Sequence, residues 1–185
     1  KGIENSFRYK NGKLIVDSTK TAARTTTSIN VKRPENASAQ GIDVSYHQGV
    51  INWEKVKNTG KVDFAIIRCG YGMNEWNETT QTWTQDDPQW EYNTSECERL
   101  NIPYGVYLYS YADTTEKAKS EAEHVIRMLE GKNLSYPIYY DMEDKSVMNN
   151  SKITAAKASQ IAQTFLNTMK AAGYNHIIIE EDIIR

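Results

Sequence analysis

From Gln40 onward the chain alternates strand signals with helix signals, and this alternation restricts the possible fold more than any other feature. Gly41-Ile42-Asp43-Val44-Ser45 reads as a short strand, and a helix begins over residues 52–57. Phe64-Ala65-Ile66-Ile67-Arg68 is a second strand, followed by a long polar loop from Tyr71-Gly72 to Asp87-Pro88. Residues 90–100 are helical, and residues 104–110 make a third strand. Residues 115–130 form an amphipathic helix with Ala118, Ala122, Val125, Ile126 and Leu129 on one face and Gly131 as its stop. A fourth strand opens at Pro137, a helix spans residues 153–172, and His176-Ile177-Ile178-Ile179 is a fifth strand. Such alternation predicts an α/β fold, a parallel sheet or barrel, with functional groups at the C-terminal ends of the strands. Asp43, Arg68, Tyr109, Asp141 and Glu143 all fall at those ends.

The fourth strand, in Tyr136-Pro137-Ile138-Tyr139-Tyr140-Asp141-Met142-Glu143-Asp144, carries the strongest chemical signal. Residues i and i+2 of a strand share a face, so Tyr139, Asp141 and Glu143 are predicted to point the same way. Two carboxylates on one side of a buried strand are costly, because burial penalises each charge and each disfavours the other. Glycosidic hydrolysis uses such a pair: one carboxyl donates a proton to the leaving oxygen while a second group stabilises the oxocarbenium-like charge. The alternative is a solvated acidic strand end, with Asp144 and Lys145 marking the exit to a loop.

Composition removes several other classes. The net charge is -2 with no lysine-arginine block, which does not suit nucleic acid. No apolar run approaches the roughly 18 residues that span a bilayer. Cys69 and Cys97 lack metal-ligand spacing and read as free, partly buried thiols, and His47, His124 and His176 show no chelating pattern, so no cofactor or metal is expected. Twelve tyrosines and four tryptophans suit sugar recognition, since an aromatic face packs on a pyranose while its polar edge hydrogen-bonds. Residues 1–39 differ from the rest: a hairpin turning at Asn11-Gly12, then a Ser/Thr-rich linker, ahead of a main domain over residues 40–185.

Four motifs in register resemble the glycoside hydrolase family 25 lysozymes: residues 41–49 with Trp53, residues 64–72, residues 107–112, and Tyr140-Asp141-Met142-Glu143. The resemblance implies a TIM-barrel-like fold of five βα units followed by three strands. It also implies hydrolysis of the β-1,4 bond from N-acetylmuramic acid to N-acetylglucosamine in bacterial peptidoglycan. Glu143 would then be the general acid, Asp141 its partner, and Asp43 the completion of an acidic floor. Arg68, Tyr71, Tyr107, Tyr109 and Tyr139 are candidates for lining the sugar cleft, with a core role as the alternative for each tyrosine. An ion pair to Asp43 or Asp141 is the alternative for Arg68. Trp76 and Trp83, in the polar loop, are candidates for ligand contact. The resemblance places the protein outside the cell or at the wall, as a secreted bacterial enzyme or a phage endolysin.

After Gly173 the pattern departs from that family: residues 175–185 supply at most the fifth strand. Five strands alone would leave open edges, to be covered by the N-terminal hairpin, by loops, by a second copy of the chain, or by a strand-completing partner. Two other functions follow from such a departure: a non-catalytic wall-binding module, or an assembly subunit.

Overall fold

The computed structural model describes residues 8–10, 13–15, 38–148 and 153–180. Its centre is a five-stranded sheet of β3 (Gly41–Val44), β4 (Phe64–Tyr71), β7 (Tyr104–Tyr109), β8 (Ile138–Asp141) and β9 (Ile177–Glu180), in that spatial order and parallel throughout. The helices between them are α1 (Trp53–Asn58), α2 (Trp90–Arg99), α3 (Thr115–Met128) and α5 (Ala155–Ala171), with a short α4 (Lys145–Met148) after β8. Three of them have side-chain caps readable from local sequence. Asn52, Thr114 and Thr154 cap α1, α3 and α5 by accepting the N–H groups of Lys55, Lys117 and Lys157. Beyond α3 and α5 stand Gly131 and Gly173, both at positive φ.

The parallel registers assign each residue to a face of the sheet. Asp43 pairs with Ile66, Ile66 with Gly105, Arg68 with Tyr107, Tyr107 with Tyr139, and Tyr109 with Asp141. Partners in register point to the same side. The alternate set, Val44, Ala65, Ile67, Val106, Leu108, Ile138 and Tyr140, is buried against the helices and forms the core with Trp53, Trp90, Val125, Ile161 and Phe165. Tyr140 stacks on Phe165 at 3.8 Å between ring centroids. The face bearing Asp43, Arg68, Tyr107, Tyr109, Tyr139 and Asp141 is the one a closed barrel would turn inward. Among the described residues the sheet stays open, with β3 and β9 as its edges.

Three details depart from the sequence pattern. β4 continues to Tyr71, because a bulge between Arg68 and Gly70 carries pairing past the expected end. Gly70 is required there: a Cβ would lie 2.5 Å from the His124 ring. The polar loop after β4 contains a two-residue ribbon, β5 (Trp76–Asn77) and β6 (Thr82–Trp83). Finally, β8 ends at Asp141, so only Tyr139 and Asp141 share a strand face, while Glu143 stands beyond it on an exposed turn. The N-terminal hairpin pairs β1 (Arg8–Lys10) with β2 (Lys13–Ile15) in a sheet of its own. Its Asn11-Gly12 turn and all but the last three residues of the linker, read over residues 17–40, lie outside the described residues. Cys69 and Cys97 are free and fully buried, and burial pushes the Cys97 thiol up to about 12.

Candidate active site

Asp43 is the penultimate residue of the first sheet strand and Asp141 the last of the fourth, with Glu143 two residues further on. Following the hydrogen-bond register, Asp141 lies four residues farther along its strand than Asp43 does, across three strand-to-strand steps. In a closed eight-stranded barrel of shear 8, about one residue of stagger per step would offset three of those four residues.

Two tyrosines of β7 lie among these acids. Tyr107 is held above the ordinary phenol range by burial, with Asp43 and Asp141 adding to the rise, and Arg68 and a hydrogen bond with Ser45 opposing it. Tyr109 is raised by burial first and then by Asp144, Glu143 and Asp141, and its hydroxyl donates to Asp144 Oδ2 at 3.3 Å. Asp43 thus bears electrostatically on Tyr107, Glu143 on Tyr109, and Asp141 on both. Asp144 also shapes the backbone here. Its Oδ1 accepts the N–H groups of Ser146 and Val147 at 2.9 and 3.1 Å, which starts α4 just after Glu143.

Arg68 is buried beneath this face. Its Nε donates to Asp87 Oδ2 at 2.8 Å, so the ion pair falls to Asp87, a residue the sequence pattern did not single out, rather than to Asp43 or Asp141. Asp87 also accepts the N–H groups of Tyr46 and Gln89. The guanidinium lies 4.8 Å from the Tyr46 ring centre and 5.6 Å from that of Tyr71, and its buried Nη2 has no hydrogen-bond partner among the described residues. Arg68 is thus fixed by one nitrogen and retains a donor.

Tyr71, Tyr109 and Tyr111 form an edge-to-face cluster, Tyr111 lying 6.3 Å from Tyr71 and 5.3 Å from Tyr109. Tyr139 is half-buried on the same face, two residues before Asp141. The tryptophans divide. Trp76 is 43% exposed, whereas one face of Trp83 is covered by Arg127, whose guanidinium carbon sits 4.0 Å from the ring centre. Trp76 is thus the more open of the two rings, and Trp83 packs edge-to-face against it at 5.2 Å.

Helix α3 fastens this ribbon. His124, fully buried, contacts the Gly72 carbonyl through Nδ1 and Asp86 through Nε2, at 3.0 and 2.8 Å. Arg127 donates to Asp86 and to Asn74 Oδ1, and the N–H of Asn74 donates to Ser120 Oγ. Burial of Asp86 works against its charge, yet hydrogen bonds from His124 and Arg127 hold the carboxyl below its ordinary value. Sequence reasoning missed Tyr46, Asp86, Asp87, Tyr111, Glu121 and Arg127. Tyr46 and Tyr111 lay within recognised motifs, whereas Asp86, Asp87, Glu121 and Arg127 carried no spacing signal. No group of three His, Cys, Asp or Glu side chains among the described residues could hold a metal.

Acids gathered at the C-terminal ends of parallel strands, with tyrosines around them, define a βα-barrel type of domain that keeps its chemistry on the strand-end face. The model of the glycosyl hydrolases family 25 matches residues 42–180, and the chain belongs to that family. Among solved structures, the modular autolysin LytC from Streptococcus pneumoniae is similar at 36% identity and a TM-score of 0.64, over 75% of this chain and 31% of that one. The same autolysin in complex with a synthetic peptidoglycan ligand gives 34% identity and a TM-score of 0.63, over 75% and 31% of the two chains. A family 25 glycosyl hydrolase from Bacillus anthracis shares the fold at a TM-score of 0.65 and 16% identity, over 81% of this chain and 63% of that one. The chain thus spans about a third of the length of the pneumococcal autolysin it resembles. No curated protein matches it.

Proposed function

We propose that this domain hydrolyses bacterial peptidoglycan, cleaving the β-1,4 bond between N-acetylmuramic acid and N-acetylglucosamine. The observation that carries the reading is the placement of Asp43 and Asp141 at strand C-terminal ends with Glu143 two residues beyond, Asp141 bearing on both Tyr107 and Tyr109, Asp43 on the first and Glu143 on the second. Family membership and the autolysin solved with a synthetic peptidoglycan ligand support the substrate class.

In this reading Glu143, exposed on the turn after β8, reaches the glycosidic oxygen and donates its proton as the bond breaks. Asp141, half-buried beside Tyr109, stabilises the positive charge that develops on the sugar, directly or through the substrate's N-acetyl group. Asp43 extends the acidic floor across to β3. Arg68 Nη2 offers a hydrogen bond to a substrate oxygen, Tyr71, Tyr107, Tyr109 and Tyr139 line the cleft, and Trp76 with Trp83 behind it supports the glycan beyond. The place of action is the cell wall. Residues 1–39 are a separate N-terminal segment, and residues 40–185 carry the chemistry.

Turbidity clearing of purified bacterial walls by the 185-residue chain, beside its Glu143→Gln variant, tests the reading. Lysis by the first and its loss in the second are expected. Wall binding without lysis by either protein would assign the chain to glycan binding instead.

A further inference from the structure

Glu121, on α3, is a fully buried carboxylate on the helix-covered side of the sheet, where a charge has no place in a purely apolar core. Three donors converge on it. Ser110 Oγ and Tyr140 Oη donate to Oε2 at 2.7 and 2.5 Å, and the N–H of Tyr111 donates to Oε1 at 2.8 Å. Burial pushes this carboxyl above its ordinary value, while the same three hydrogen bonds favour the charged form.

The placement of those donors gives the charge a use. Ser110 and Tyr111 are the first two residues past the end of β7, directly after Tyr109. Tyr140 is the residue before Asp141, its ring clamped from the other side by Phe165. The N–H of Ser110 also donates to the carbonyl of Asp141 at 2.8 Å, so the two strand ends are joined above the carboxylate that grips them both. We infer that Glu121 is a positioning residue for the reaction. From behind the sheet it fixes the end of β8 that presents Asp141 and the end of β7 that presents Tyr109 and Tyr111. Apolar side chains at these places would pack as well, but they would leave the two strand ends held by backbone pairing alone. A displacement of about 1 Å at reacting groups can lower a rate about 100-fold.

This role rests on the hydrolase reading, and its test separates the two. Glu121→Gln keeps the shape, but its amide offers one acceptor oxygen where the carboxylate offers two. Tyr140→Phe removes one donor and serves where the first variant fails to fold. Two measurements are made on the 185-residue chain. The first is hydrogen exchange of the Ser110 amide, which reports the bond to Asp141 without any turnover. The second is kcat and KM on soluble peptidoglycan fragments, well below the melting temperature of each variant. The expected result is exchange about tenfold faster and kcat about 10- to 100-fold lower, with KM within about twofold. Ser110 exchange at the wild-type rate overturns the inference, and so does faster exchange with wild-type kcat, which would make Glu121 a scaffold residue only. If the unaltered chain shows no turnover while Ser110 exchange responds, the hydrolase reading falls and the grip of Glu121 on Asp141 stands.

Discussion

The two faces of the sheet are made by alternate residues of the same strands, yet they obey different rules. On the helix side Ala65, Ile67, Val106 and Leu108 are wholly buried and Ile138 nearly so, as a parallel sheet beneath helices requires. On the other side Asp43 is exposed, Tyr107, Tyr109, Tyr139 and Asp141 are half-buried, and Ile178 is 42% exposed. Stability is concentrated on one face, and the groups suited to chemistry on the other. That separation allows a carboxylate to sit one residue away from a core side chain without unfolding it.

The largest effect expected from breaking the comparison is on activity alone. Glu143→Gln should cut wall lysis by about 100- to 10,000-fold, the range for loss of a general acid, with the thermal transition nearly unmoved because Glu143 is exposed. Normal lysis by that variant would remove Glu143 from its assigned role.

Asp87→Ala is the exception that sharpens the division. Arg68 belongs to the open face, but its ion pair with Asp87 is as dry as the core, the Asp87 side chain having no exposure. Removing one partner of a buried pair costs about 3–5 kcal/mol. Denaturant unfolding should show a loss of that size, and a change below about 1 kcal/mol would mean that water reaches the pair. Leu108→Ala, on the helix side, should cost about 2–5 kcal/mol. Tyr109→Ala, the next residue on the opposite face, should cost markedly less while impairing lysis. Equal losses from these two neighbours would erase the distinction between the faces.

How much of this was legible in the sequence depended on which signal each part left. The βα order was readable because the strands carry apolar runs and α3 carries a helical period closed by Gly131. Asp43, Asp141 and Glu143 were readable because they sit in short motifs at strand ends. The extent of β8 was not: the run 136–143 is uniformly strand-like in composition, and pairing alone ends the strand at Asp141. Nor was the support beneath the site. Asp87 reaches Arg68 from nineteen residues away, and Glu121 reaches Tyr140 from the same separation. Single acidic residues in a loop or helix look solvated until the fold buries them.

Asp86 and Glu121 extend the comparison to pH, with opposite signs. The carboxyl of Asp86 is held below its ordinary value of 3.8, so its contribution to stability is present above that pH and is lost as pH falls through the folded-state value. Glu121 is raised above its ordinary 4.5, so its contribution is fully present below that pH and declines as pH rises through the folded-state value. Asp86→Asn should flatten the acid limb of a stability profile below about pH 4, and Glu121→Gln should alter the limb above about pH 4.5. Profiles with unchanged slopes would mean that neither carboxyl shifts between the folded and unfolded states.

The smallest effect expected is from removing residues 1–39. β1 and β2 form a two-stranded sheet that does not join the five-stranded one, and an isolated hairpin of this kind is marginal. β1 does lie beside the 3-10 turn Tyr46–Gln48, next to Tyr46, whose ring faces Arg68. The chain over residues 40–185 should therefore keep its stability within about 1 kcal/mol, a shift of roughly 2–4 °C in Tm for a domain of this size. Its lysis of walls should also be retained. A collapse of the thermal transition would show that the N-terminal segment covers part of the open face. The contrast between the two faces would then be one between a core closed by helices and a core closed by the chain's own leading segment.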